Sequence, residues 1–224
     1  MDKFLGILFC GGQGTRLGVI TDYISKAFVP VHDRPVFMYG LDRLKESRYI
    51  DRIIILTNRD NDARLRGPGF ETVIQDNSQV KDMFSGLHYI RRITGEERPA
   101  VLMPCDNINE IVVDRVIETF LAKKPDILIN IRKVASREKL CQMGVFDPAT
   151  GKVAYKPSQP QSDWGVLAPY VAAPGLDLNC GPEVDIFNRH RLAGIQYSGY
   201  WFDIGDVESW QDANSQLAQI LKKQ

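Results

Sequence analysis

Residues Phe4–Gly18 read FLGILFCGGQGTRLG. The apolar run from Phe4 to Phe9 has no polar alternation, which marks a strand buried on both faces, and such strands belong to parallel sheets. It ends in Gly11, Gly12 and Gly14, followed by Thr15, Arg16 and Leu17. Glycines at a strand's carboxyl end let backbone N–H groups approach an anion, at the edge where open α/β sheets bind ligands. The spacing is neither GxGxxG leading into a helix nor GxxxxGK[ST], so the dinucleotide and P-loop patterns both fail. Arg16 inside the loop and Lys26 in ISKAFVP supply two cations that backbone donors cannot replace, and a nucleoside triphosphate needs that neutralisation. A bare glycine pair would read as a simple chain reversal; the two cations turn the reading towards phosphate.

Outward from this loop, apolar runs alternate with helical patterns. RIIILTN from Arg52, ETVIQDN, AVLMPCDN and DILINIRKV read as strands. Pro35–Ser47, VKDMFSGLHYIRRI and DRVIETFLAKK carry helical spacing, with Pro35 placed in a first turn. Strand and helix in alternation predict an α/β fold, a mostly parallel sheet covered on both faces. After Lys139 the texture changes to short strand-like pieces around GVFDPATGKVAYKP, broken by Pro, Gly and Ser through Cys180, which predicts a hairpin-rich, substrate-covering half. Pro182–Leu192 reads as helix, YSGYWFDIGD as strand then turn, and Val207–Lys222 as a terminal helix with Trp210, Leu217 and Leu221. No repeat or linker divides the chain. The organisation expected is one domain over 1–224, with a nucleotide-binding half at 1–139, an acceptor-binding half at 140–206 and a terminal helix at 207–224.

The 224 residues carry 28 Lys+Arg against 28 Asp+Glu, so no global charge draws the chain to nucleic acid or an anionic membrane. Any phosphate must be held locally. No segment approaches the ~20 apolar residues of a membrane span. Cys10, Cys105, Cys141 and Cys180 are scattered, without zinc or disulfide-framework spacing, and read as reduced thiols in a cytoplasm. His32, His88 and His190 lack ligand spacing. Trp164, Trp201 and Trp210 read as packing residues, except that Trp164 lies in SDWGVLAP, which borders the expected acceptor site.

A second constellation is acidic. Asp106 ends AVLMPCDN and Asp203 follows the aromatic run in YWFDIGD, so two strands would deliver carboxylates to the edge that holds the glycine loop. Either Asp alone reads as a turn or helix cap. Together, beside a phosphate loop, they read as a Mg2+ site whose remaining ligands are phosphates and water.

These blocks, in this order, resemble the sugar-1-phosphate nucleotidyltransferases: GGQGTRL resembles GGxGTRL, SKAFVPVHDRPVFMYGLDRL the lysine-bearing segment, CDN the family's GDN, YKP its EKP and WFDIGD its W-x-D-x-G. The wording is nearest the glucose-1-phosphate thymidylyltransferase branch. The resemblance implies a Rossmann-like mixed sheet between helices, the nucleotide-diphospho-sugar transferase fold. It implies that Leu8, Gly11, Gly12, Gly14 and Thr15 cradle the nucleotide, that Gln75 reads its base, and that Arg16 lies on the pyrophosphate side. Lys26 would stabilise the phosphates in the transition state and Lys156 would bind the acceptor's phosphate. Asp106 and Asp203 would hold Mg2+, while Asn107, Gly144, Tyr155 and Trp164 would border the acceptor. The implied partners are a nucleoside triphosphate and a phosphorylated small molecule, with no nucleic acid or membrane, and a homo-oligomer is left open.

The departures fall on the acceptor side. Tyr155 stands where the family has Glu before Lys-Pro, Cys105 replaces Gly, DNSQVKD lacks a glycine, and the segments either side of Lys156 are short. A non-glucose sugar phosphate, or a non-sugar phosphate or phosphonate activated with CTP, therefore stays open, as does a non-catalytic nucleotide-sugar-binding homologue. An NAD-dependent oxidoreductase is disfavoured by the glycine spacing.

Overall fold

The computed structural model describes residues 3–179 and 181–222; Cys180 lies outside them. The opening run forms β1 (Phe4–Cys10), which leads through a 3-10 turn (Thr15–Leu17), α1 (Ile20–Tyr23) and a second 3-10 turn (Lys26–Phe28) to the short β2 (Pro30–Val31) and β3 (Arg34–Pro35). Then come α2 (Phe37–Lys45), β4 (Ile50–Thr57), α3 (Arg59–Arg66), β5 (Thr72–Ile74), α4 (Met83–Thr94), β6 (Ala100–Pro104), β7 (Asn107–Asn109), α5 (Val113–Lys123) and β8 (Ile127–Lys133). The chain continues through α6 (Arg137–Leu140), β9 (Gly144–Asp147), β10 (Lys152–Tyr155), β11 (Trp164–Ala172), α7 (Glu183–Arg189), β12 (Leu192–Gln196), β13 (Trp201–Asp203) and α8 (Val207–Leu221).

β6, β1, β4 and β5 are parallel neighbours, with Phe9 beside Pro104, Cys10 beside Thr57 and Thr57 beside Ile74. Their carboxyl ends therefore share one edge, and Gly11, Gln75 and Asp106 emerge along it. β12 runs parallel to β8, while β11 is antiparallel to both β6 and β8. The fold is the expected mixed, largely parallel α/β sheet. Side chains of β1 alternate between two cores: Leu5 and Ile7 pack with α4 and α7, and Phe4, Leu8 and Cys10 with α2 and α5. That double burial is why the run lacks polar alternation. A third cluster seats Ala213 and Leu217 of α8 against Leu17, Val29, Ile108 and Ile204, bracing the turns that border the glycine loop. Among the described residues no helix is long and apolar enough to cross a membrane.

Three expectations are corrected. Pro35 pairs with Pro30 in the β2–β3 hairpin rather than opening a helix. Leu192 begins β12 instead of ending a helix. The largest correction is β11, a nine-residue, almost wholly buried strand inside the main sheet, where the sequence suggested only hairpins and loops. β11 pairs β6 over Tyr170–Ala172, whereas Trp164 and Gly165 extend past the carboxyl end of β6 and pair with β9. The β9–β10 hairpin thus overhangs the ligand edge. β10 would leave backbone groups unpaired, and Asn188 of α7 covers them by exchanging two 2.9 Å hydrogen bonds with Val153.

Candidate active site

The glycine loop borders a cavity of about 670 Å3 whose lining includes Gly11, Gly12, Gly14, Thr15, Arg16, Lys26, Gln75 and Asp106, with Asn77, Lys81, Asp82, Met83 and Gly205 also on its walls. Gly14 is required by its backbone: it has φ 68°, and its missing β-carbon would lie only 2.7 Å from Lys26 Cβ. A β-carbon at Gly11 would displace the Gln75 carboxamide from where it rests. Gln75 lies across Gly11, its Nε2 donating to Gly11 O at 3.3 Å and to Asn77 Oδ1 at 2.6 Å. Beneath the loop, the buried Asn61 of α3 donates to Cys10 O at 3.1 Å and Ser25 Oγ at 2.8 Å, tying the strand end to the turn that carries Lys26.

Lys26 is 9% exposed and its Nζ meets Asp106 Oδ2 at 2.5 Å. Burial opposes the ammonium charge, but Asp106 outweighs it and holds the Lys26 pKa above its ordinary value. Asp106 follows β6. Asp203 reaches the same place through a two-stranded ladder in which it pairs directly with Asn107, and the ladder is extended by Ile204 N donating to Asp106 O at 2.9 Å. Asp203 keeps an exposed face, yet desolvation by its surroundings, followed by the charge of Asp106, pushes its carboxyl up to about 6. Asn107 Nδ2 donates to Asp106 Oδ1 at 3.1 Å and to Asp203 Oδ1 at 3.3 Å, and Asn107 Oδ1 accepts from Trp201 Nε1 at 3.1 Å. The Arg16 guanidinium lies against the Gly205 backbone, Nη2 being 3.3 Å from that residue's β-carbon position, and its charge acts on both Asp203 and Asp206. Asp206 itself caps α8 through Ser209.

Two adjacent carboxylates suit a hard divalent cation that takes most of its oxygen ligands from phosphate and water. Among the described residues no group of three or more His, Cys, Asp or Glu side chains forms a complete cage. Burial raises the Cys10 pKa, and Cys105 hydrogen-bonds it. Cys10, Cys105 and Cys141 are free thiols.

The structure therefore gathers the expected loop residues, both cations and both carboxylates at one edge. It does not bring every expected residue there. Leu8 is fully buried and paired on both sides, with Ile55 and Met103, so its side chain cannot touch a nucleotide. Gly144, Tyr155, Lys156 and Trp164 lie on or beside the overhanging hairpin, outside the cavity lining. Tyr155 is 59% exposed, and the Lys156 ammonium sits 5.2 Å from its ring centroid. Lys133 covers Trp164 in the same way at 5.4 Å. Sequence reasoning missed Asn61, Asn77 and the start of α4, whose signals are ordinary capping and turn residues. It also missed Glu183, which hydrogen-bonds the buried Tyr170 and whose carboxyl is raised to about 7 by burial and then by Asp82.

Residues 6–148 match the family model of the MobA-like NTP transferase domain. A glucose-1-phosphate thymidylyltransferase of Neisseria gonorrhoeae is 29% identical over 94% of this chain and 81% of its own length. One from Streptomyces griseus is 24% identical over 93% of this chain, which spans only 64% of that relative. Among solved structures, an apo UDP-glucose pyrophosphorylase superposes with a TM-score of 0.80 at 18% identity, covering 98% of this chain and 99% of its own. A UTP-bound UGPase from Acinetobacter baumannii gives 0.75 at 17%, covering 99% of both chains. At these identities the superpositions establish the shared fold.

Proposed function

The chain belongs to the MobA-like NTP transferase family, and from that premise we propose that it moves a nucleoside monophosphate from an NTP to a sugar 1-phosphate or closely related phosphorylated acceptor, releasing pyrophosphate. The observation that carries this reading is the Lys26–Asp106 pair at the base of the glycine-lined cavity, with Asp203 and Arg16 beside it. An anionic phosphate oxygen of the acceptor attacks the α-phosphorus as the bond to the β-phosphate bridging oxygen breaks. The nucleophile is already ionised, so catalysis reduces to aligning two anions and neutralising them.

The loop backbone at Gly11, Gly12 and Gly14 receives phosphate oxygens, and Gln75 faces the base. Arg16 stabilises the departing pyrophosphate. Lys26, now spent on Asp106, has its charge next to the α-phosphate once ligand arrives. Lys156 would bind the acceptor's phosphate from the hairpin. Asp106 and Asp203 would hold Mg2+, whose chemistry when bound is to neutralise charge developing on the phosphate oxygens. The free thiols support the cytoplasmic reading.

The test is pyrophosphate release from a panel of the common nucleoside triphosphates combined with sugar 1-phosphates, phosphocholine-like non-sugar phosphates and phosphonates, with Mg2+. Release with one NTP–acceptor pair supports the proposal and identifies both substrates. Nucleotide-sugar binding without release from any pair would favour the non-catalytic homologue instead.

A further inference from the structure

The CDN segment suggests that Asn107 borders the acceptor. We propose a different role: Asn107, oriented by Trp201, is the positioning residue that sets the spacing of Asp106 and Asp203 for one divalent cation. This rests on the reading of those two carboxylates as the metal pair.

In the β7–β13 ladder Asp203 is the direct partner of Asn107, and Trp201 the partner of Asn109. Direct partners in an antiparallel ladder bring their β-carbons to about 5 Å, so the Asn107 amide can reach Asp203 across the ladder and Asp106 along the chain. The amide's orientation is settled by chemistry. An indole N–H can only donate. The Asn107 atom 3.1 Å from Trp201 Nε1 must therefore be the carbonyl oxygen, which turns the NH2 group to the carboxylates. Its two hydrogens match the two acceptors, Asp106 Oδ1 at 3.1 Å and Asp203 Oδ1 at 3.3 Å.

Two consequences follow. Asn107 is 7% exposed with both amide hydrogens engaged, so it has none left to offer an acceptor hydroxyl. The same two hydrogens hold two mutually repelling carboxylates side by side before a cation arrives, while Asp106 Oδ2 is left to Lys26. A preset spacing removes reorganisation from metal binding, and groups that orient ligands in this way typically contribute 10–100-fold to metal affinity.

The probe is Mn2+, titrated by electron paramagnetic resonance into the wild-type protein, Asn107→Ala and Trp201→Phe, with and without the NTP that supports turnover. Acceptor KM is measured alongside. The expected result is Mn2+ affinity weakened about 10–100-fold in Asn107→Ala. Trp201→Phe keeps the ring but loses the N–H, and should weaken it less, in the same direction. Acceptor KM should stay near wild type in both. If the wild-type protein binds Mn2+ and Asn107→Ala binds it equally well, the positioning role is overturned while the metal pair stands. A raised acceptor KM with unchanged Mn2+ affinity also overturns it, in favour of an acceptor contact. Failure of the wild-type protein to bind Mn2+ under either condition removes the metal pair itself.

Discussion

The sides of the ligand edge proposed here for phosphate and for acceptor are built to different standards. On the first, functional groups hold one another: Lys26 rests on Asp106, Asn107 joins Asp106 to Asp203, and Gln75 lies on Gly11. On the second, the β9–β10 hairpin projects beyond the carboxyl end of β6 with Tyr155 in solvent and Lys156 resting on its ring. The contrast follows from the chemistry. Phosphoryl transfer needs fixed charges at fixed points, whereas an acceptor can be gripped after it arrives. Substitutions on the phosphate side should therefore cost catalysis, and those on the hairpin should redistribute selectivity.

The largest effect is expected at the carboxylates. Asp203→Ala and Asp106→Ala should each lower turnover by about three orders of magnitude or more, read as pyrophosphate release at saturating Mg2+. They should differ in stability. Asp106→Ala also strands the buried Lys26 ammonium, and breaking a buried pair costs roughly 3–5 kcal/mol, discounted here because the Asp106 side chain is 21% exposed. Near-normal turnover in both variants would erase the distinction between the two sides.

Next comes Arg16→Ala. On the proposed role, in which its charge acts as pyrophosphate departs, kcat should fall about 100-fold or more with little change in NTP KM. A raised KM with kcat intact would reduce Arg16 to a ground-state binder and make the phosphate side less like a preset charge array.

Much of this array was legible in the sequence because it is local. Glycines and Asp106 stand directly after apolar runs, and a parallel sheet sends the ends of those runs to one edge. β11 was not legible because WGVLAPYVA contains Pro169, and proline argues against a central strand. The chain tolerates it through a register shift between Leu167 and Val171, where Asn130 Nδ2 takes the Pro169 carbonyl at 2.7 Å. The role proposed here for Asn107 was hidden for another reason: its partner Asp203 lies 96 residues away, and only the short β7–β13 ladder brings them together. Two- and three-residue strands have no periodicity to detect.

A smaller effect lies behind the hairpin, where burial and Asp82 raise the Glu183 carboxyl from 4.5 to about 7. The folded protein holds this proton more tightly than the unfolded chain does. Stability from this group is therefore fully present below about 4.5 and is lost as pH rises through 7. Glu183→Gln should remove that slope and make the protein relatively more stable at pH 8 than at pH 5, by at most about 3 kcal/mol at ~1.4 kcal/mol per pH unit. Urea unfolding of both proteins at the two pH values checks this, and parallel slopes would show that Glu183 is solvated like the rest of the acceptor side.

The smallest effect, and the one that bears most directly on the comparison, concerns Tyr155. It ends β10 opposite Gly144 and carries a single hydroxyl on an exposed ring, where a Glu would present two acceptor oxygens to sugar hydroxyls. A site built around hydroxyl acceptors rejects ligands that lack hydroxyls, whereas an apolar surface discriminates weakly. The wild-type protein should therefore select poorly for glucose 1-phosphate and use a deoxygenated, ring-modified or non-hexose phosphate better. Tyr155→Glu should move the ratio of kcat/KM values towards glucose 1-phosphate by up to about tenfold, the worth of one added hydrogen bond. The ratio is the proper readout. Removing the ring also takes away the surface on which Lys156 rests, which should slow both acceptors together, and only a change in preference isolates the hydroxyl contact. A wild-type protein that already prefers glucose 1-phosphate strongly would mean that the hairpin closes into a fixed pocket, and that the acceptor side is as constrained in use as the phosphate side is at rest.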